Sequence, residues 1–441
     1  MAERVEIAIV GGGPAGATLA ILLARSGHDV VVLERAVVPR WRACGVFSPT
    51  ALPLLGGLGI LAPEPALATR SGPEPALVRR LPGLRLEVPD APPLDLFGHA
   101  APAGFARPAF DAALLAAASH AGARVEAGVE VAAVSAPTGG HSRLDVRGPD
   151  GHRRIVEADL VVGADGIRSV VARAAGVVVR PRLAGRVALT FHVAEPASGD
   201  PRFGSPIRPA RMIVFDGGYC GLAPVPGGRL NAGIVLHGRP WLDALHREGA
   251  AAVAQRVLAS IPPGPGDGTS IRMPSGPTDA TGGGVAPGRG DAFPSGAATG
   301  ARVLDAVAGA FPLSHAVRRA AGSHWLLVGD AAGFLDPFTG DGLDRALVSA
   351  ALAADAIAGH QRGRRDAFAS YADAIHERFE PRDRLSLLLQ AFVARPSVLA
   401  YALRRVARRE ALRRTIDLVL ADRLPASRAL DPRFLAAVLA P

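Results

Sequence analysis

Three glycine-rich turns, each following an apolar run, hold the residues with which this chain could do chemistry. The first is Gly11-Gly12-Gly13-Pro14-Ala15-Gly16, which follows VEIAIV (residues 5–10), a run that reads as a buried strand. Ala17 to Arg25 reads as a helix, Gly27 stops it, and Asp29 to Leu33 resumes a strand ending at Glu34. This is a strand–helix–strand unit with G-x-G-x-x-G and an acid about 20 residues further on. Gly11 permits the tight turn, Gly13 lets the backbone approach a pyrophosphate, and Gly16 lets the helix pack close to its strand. The helix N-terminus offers N–H groups to the phosphates. Glu34 would accept hydrogen bonds from an adenosine ribose and repel a 2′-phosphate, which favours FAD or NAD over NADP at this loop.

The second turn is DLVVGADGIRS (residues 159–169), an apolar strand running into Gly163-Ala164-Asp165-Gly166. The third, GDAAGFLDPFTGDGLDRAL (residues 329–347), crowds Asp330, Asp336, Asp341 and Asp344 among glycines, between a strand from Trp325 to Val328 and an Ala-rich helix. One such unit suffices for an NAD dehydrogenase. FAD is longer and needs anchors for its ribityl chain and isoalloxazine. Asp330 can accept from ribityl hydroxyls, and a helix starting near Gly342 would point its positive end at the flavin pyrimidine edge. Gly340 and Gly342 let the backbone press against the ring, and Pro337 stiffens the approach.

In this order, GGGPAG, GADGIRS and GDAAGFLDPFTGDG resemble the FAD-dependent oxidoreductases of the para-hydroxybenzoate hydroxylase fold, over most of residues 1–360. That superfamily includes aromatic-ring monooxygenases, flavin halogenases and geranylgeranyl reductases. The resemblance implies an α/β chain: a Rossmann-like FAD-binding domain of glutathione-reductase type, an inserted antiparallel-sheet substrate domain and a C-terminal helical region. The implied boundaries are 1–75, 102–182 and 321–360 for the FAD domain, 76–101 and 183–320 for the substrate domain, and 361–441 for the helices. Residues 262–302, rich in Gly, Pro and Ala, read as a flexible insertion, with a lid over the pocket as the alternative.

Carried residue by residue, the resemblance assigns the ADP site to Gly11, Gly13, Gly16 and Glu34, and Pro14, Ala15, Arg35 and Val131 are also expected to bind the cofactor. Arg42, Cys44, Gly45, Asp165 and Gly166 are expected near the cofactor, as is Arg107 of the F-x-R-x-x-F-D segment (Phe105 to Asp111). The reactive half falls to Gly329, Asp330, Pro337, Gly340, Asp341, Gly342 and Leu343. Asp341 reads first as a helix cap and second as a chemical group. Asp344 with Arg345 reads as helix surface or a local ion pair, and His192 as a packed or surface histidine in a strand.

The reaction is narrowed by what is missing. The sequence contains no lysine, so no Schiff base or lysine acid is available, and flavin halogenases typically use an active-site lysine with a Trp-x-Trp-x-x-Pro segment absent here. Two cysteines, Cys44 and Cys220, give no disulfide framework and no thiolate zinc cluster. RACGVFSPTAL (residues 42–52) is similar to the Cys-Gly segment of geranylgeranyl-reductase-like proteins, where the cysteine lies near the isoalloxazine. Here only Gly45 follows before Val46. A thiol at Cys44 could tune the flavin or donate a proton, or be a small buried cysteine.

Three functions follow. The first is an NAD(P)H- and O2-dependent monooxygenase acting on an apolar aromatic or polyketide-like molecule, as in secondary metabolism. The second is reduction of C=C bonds in an isoprenoid or lipid, and the third a flavin-binding electron carrier without turnover. The Ala- and Arg-rich composition suggests a high-GC bacterium, and the short apolar N-terminal run points to a cytoplasmic protein.

The net charge of +9 is concentrated after residue 361, where sixteen arginines face nine acids. Leu399, Leu403 and Val406 recur at helical spacing beside Arg404, Arg405, Arg408 and Arg409. This pattern fits a helical appendage packed on the core, or a helix contacting a membrane surface. No nucleic-acid module is visible.

Overall fold

The computed structural model describes residues 3–38, 46–47, 51–61, 77–96, 102–138, 140–195, 209–261 and 303–439. Arg42, Cys44, Gly45 and the 262–302 insertion therefore lie outside the described residues.

VEIAIV is the exposed-to-buried half of a strand, Glu3–Val10, that pairs in parallel with Val30–Glu34 on one side and Arg153–Gly163 on the other. Strands covered on both faces read as continuous apolar runs, and Ile7, Ala8 and Ile9 are fully buried. Arg124–Ala127 extends the parallel set beyond Val30–Glu34, and Trp325–Leu327 pairs in parallel with the end of Arg153–Gly163. An antiparallel wing of His141–Arg147 and Glu130–Thr138 completes the seven strands.

The register of this sheet is what assembles the site. Val10 pairs with Leu33 and with Gly163, and Gly163 pairs with Leu327. The chain therefore leaves four adjacent strands at one level and at their carboxyl ends. Glu34 and the three glycine turns, far apart in sequence, meet along one edge. Ligands of open α/β sheets bind at such an edge.

The helix after the first turn spans Pro14–Arg25 and so starts before Ala17, with Pro14 at the first helical position, where its missing N–H costs no bond. It packs against the helices Arg107–His120 and Gly342–Gln361.

The second sheet runs Ala308–Ala310, Arg186–Ala194, Arg229–His237, Gly218–Val225, Ala210–Phe215, Leu84–Glu87 and Leu94–Leu96. Its main ladders are antiparallel, as expected, but Leu84–Glu87 joins Ala210–Phe215 in parallel. Alternation divides its side chains between two cores. Phe191, Phe215, Leu222 and Ile234 pack on Trp241 and Val253 of the helix Arg239–Ser260. Val214, Tyr219 and Val235 face the C-terminal helices and share a core with Leu399, Leu403 and Val406. The apolar stripe of the Pro396–Arg408 helix is thus packed inside the protein, in line with the appendage reading. No described helix is by itself long and apolar enough to cross a membrane.

Candidate functional site

Each glycine of the first turn has a different environment. Gly11 has φ +102°, and a Cβ there would sit 2.5 Å from the Ala164 carbonyl oxygen of the second turn. A Cβ on Gly16 would lie 2.0 Å from the Gly11 carbonyl oxygen. Both are fixed by contact with protein. Among the described residues, a Cβ on Gly13 would meet nothing within 4 Å, so they leave space beside its backbone at the helix N-terminus. That space suits a phosphate. Glu34 is held across the loop, its Oε2 accepting from the Gly12 N–H at 2.7 Å and its Oε1 from the Ala36 N–H at 2.8 Å. Each oxygen keeps capacity for a ribose hydroxyl. Beside Glu34, Arg35 borders a polar cavity of about 290 Å³ shared with Gly128, Glu130, Arg147 and Gly148. Val131 lies partly buried in the neighbouring strand.

In the second turn, Asp165 Oδ2 accepts from the Val170 N–H at 2.6 Å and so shapes the entry to the short helix Val170–Ala174. Its Oδ1 is buried without a hydrogen-bond partner among the described residues. Burial raises the carboxyl above its ordinary range, against the pull of its hydrogen bonds with Ser169 and Val170. Gly166 has φ +73° and opens the turn Gly166–Arg168.

The third turn touches the first. Gly329 has φ +59°, and a Cβ on it would press on Ala15 Cβ at 2.8 Å; its N–H donates to Ser349 Oγ at 2.8 Å. The carboxylate of Asp330 next to it receives no hydrogen bond from any described residue. Burial pushes this carboxyl up to about 6, opposed by the positive charges of Arg345 and Arg107. A partly buried, ionisable acceptor that no described residue donates to fits the hydroxyls of a ribityl chain. Arg107 is itself held by Asp111 in a two-pronged pair at 2.9 and 2.8 Å, so its helix partner, as well as any cofactor, sets its place.

Pro337–Thr339 forms a single helical turn, and Gly340 with φ +73° reverses the chain into the Gly342–Gln361 helix. A Cβ on Gly342 would have only Phe334 near it, at 3.9 Å. The N-terminus of this helix, with Leu343 partly buried in its first turn, is therefore approachable.

Two expectations about the acids are corrected. Asp341 occupies the cap position but makes no capping bond; it accepts from Thr339 Oγ1 at 2.7 Å and pairs with Arg382. Asp344 and Arg345 are buried rather than surface groups. Each pairs across to the helix Ala367–Val393, Asp344 with Arg378 at 3.0 Å and Arg345 with Asp383 at 2.5 Å. Asp422 closes the network by accepting from Arg378 at 2.5 Å and Arg382 at 2.7 Å. The helix thus needs cationic partners because three acids cluster around its first turn. His192 is buried, with its Nδ1 2.5 Å from Asp305 Oδ2, as a packed histidine.

Asp336 was not singled out by spacing, yet it connects three parts of the molecule. Its Oδ2 accepts from Arg186 at 2.8 Å, and its Oδ1 from Tyr219 at 2.5 Å, Gln390 at 2.7 Å and the Phe338 N–H at 3.0 Å. The sequence showed Asp336 only as one of four aspartates crowded into the third turn, with no role assigned to it.

These features define a dinucleotide-binding type of fold, with the three glycine turns meeting at one sheet edge. Residues 4–198 match the model of the FAD binding domain family. The chain thus carries an FAD binding domain, and it is an enzyme, an FAD-dependent oxidoreductase.

It is 28% identical to a menaquinone reductase of Mycolicibacterium smegmatis, across 80% of this chain and 76% of that one. It is also 28% identical to digeranylgeranylglycerophospholipid reductase 1 of Methanopyrus kandleri, across 86% and 87%. Similarity to the 3-amino-4-hydroxybenzoate 2-monooxygenase of Streptomyces cremeus is 34% but spans 52% of this chain and 56% of that one. In fold, the chain superposes on a geranylgeranyl bacteriochlorophyll reductase-like protein of Thermoplasma acidophilum with a TM-score of 0.70 at 19% identity, covering 98% and 100% of the two chains.

Proposed function

We propose that this enzyme reduces C=C bonds of an isoprenoid or other lipid-like substrate, with NADH or NADPH as electron donor. The observation that carries the reading is coverage. The two reductases resemble the chain through the FAD domain, the substrate sheet and into the helices, whereas likeness to the monooxygenase stops near half of either chain. Substrate choice resides in pocket walls, so likeness over those walls weighs more than identity in the cofactor domain. This reverses the order in which residues alone placed the two reactions. Monooxygenation of an apolar aromatic remains the second reading, favoured by the higher local identity to the Streptomyces enzyme.

When bound, FAD supplies the hydride exchange. The chain supplies position and dryness. Gly13 and the Pro14 helix N-terminus would take the pyrophosphate, Glu34 the ribose and Asp330 the ribityl hydroxyls. The Gly342 helix would direct its positive end towards charge gathering on the pyrimidine edge. Arg382 neutralises Asp341, whose bare carboxylate beside that end would work against it. Tyr219 and Arg186, by binding Asp336, fix the substrate sheet against the same turn.

The test is turnover without oxygen, on polyprenyl quinones and polyprenyl lipids. A product whose prenyl chain is heavier by two hydrogens, with any quinol head group first reoxidised, supports reduction. A strict need for O2 with gain of one oxygen atom would replace it by the second reading.

A further inference from the structure

The Pro396–Arg408 helix buries one face and leaves the other outward. On the outward side lie Val398, 39% exposed, then Tyr401, Arg405 and Arg408 at successive helical spacings. No Asp or Glu occurs between Arg384 and Arg409, so the formal charges carried by this helix are all positive.

The face is built, since its parts hold one another. The Arg405 guanidinium stands 5.8 Å over the Tyr401 ring, and the Tyr401 hydroxyl donates to the Leu439 carbonyl at 3.3 Å. Leu439, 43% exposed, is thereby brought alongside. Arg409 donates to the Ala437 carbonyl at 3.0 Å, and Arg404 to that of Asp90.

Aliphatic side chains, a tyrosine and arginines sharing one surface match the boundary of a bilayer, where apolar groups dip inward and cations meet phosphate. A purely electrostatic partner such as RNA would gain nothing from covering Val398 and Leu439, and the face offers a single aromatic ring for stacking. We propose that this face docks reversibly on an anionic phospholipid surface. Each arginine near such a surface contributes about 1 kcal/mol, and so little apolar area is available that charge must supply most of the attachment. The proposal does not depend on the reaction assigned above, and the two fail separately.

Flotation of the holoenzyme with phosphatidylglycerol-containing vesicles, against phosphatidylcholine alone, tests it. Binding is expected only to the anionic vesicles, with release at about 1 M salt. In the Val398→Glu/Arg408→Glu double variant, flavin absorbance and thermal midpoint should stay unchanged while the floated fraction falls about tenfold. Failure of the wild type to float with anionic vesicles would overturn the proposal. So would a variant that floats equally well, or preferential capture by RNA.

Discussion

Arg186, on the substrate sheet, donates to Asp336, on the turn before the Gly342 helix, at 2.8 Å inside the protein, and the side chain of Asp336 is fully enclosed. The pair links two units that sequence separates by 150 positions. Burial raises the Asp336 carboxyl while Arg186 and Tyr219 pull it back.

Removing one member of a buried pair strands the other. Arg186→Leu is predicted to destabilise the protein by about 3–5 kcal/mol. Asp336→Asn keeps an oxygen for Tyr219 and Phe338 but turns an NH2 towards the Arg186 guanidinium and strands its charge, so a loss of similar size is expected. Urea denaturation of both variants checks this. A loss under about 1 kcal/mol in either variant would show that the charge pair is not what matters.

Gly13 and Gly16 should part company. The Cβ of Gly13→Ala meets no described atom within 4 Å and should leave the apoprotein's melting midpoint nearly unchanged, while crowding of about 1–3 kcal/mol weakens FAD binding roughly ten- to hundredfold. Gly16→Val must displace the Gly11 carbonyl and should destabilise the fold itself. Melting curves with and without FAD separate the two effects.

Asp330 predicts a pH dependence. Its carboxyl is raised to about 6 in the folded protein from 3.8, so the folded state binds the extra proton between these values. Stability of the apoprotein therefore falls as pH rises through that window, and the cost is complete above it. Asp330→Asn should remove the slope and stabilise the apoprotein at neutral pH by on the order of 2 kcal/mol, while weakening FAD binding. An unchanged slope would show that Asp330 is solvated.

The strand, glycine turn and helix that would carry the cofactor could be read from the chain because these parts are local. A strand, a glycine turn and a helix N-terminus follow one another within residues 5–25, and Glu34 marks the next strand end. Their chemistry is set by neighbours in sequence. The reversed assignments of Asp341, Asp344 and Arg345 have the opposite origin. Their partners Arg382, Arg378 and Asp383 lie 34–41 positions away on another helix, and charge spacing carries no record of which helix will pack there. Asp336 was hidden for the same reason, since Arg186, Tyr219 and Gln390 come from distant strands and a helix. The apolar stripe of Leu399, Leu403 and Val406 was legible as a buried face, but periodicity could not say whether protein or lipid covers it.

The most direct measurement is anaerobic incubation of the yellow holoenzyme with NAD(P)H and a polyprenyl quinone, followed by mass analysis of the product. A gain of two hydrogens in the prenyl chain, retained after the quinol head group is reoxidised to quinone, is predicted without oxygen. Turnover that begins only on admitting O2 and inserts an oxygen atom would contradict the account.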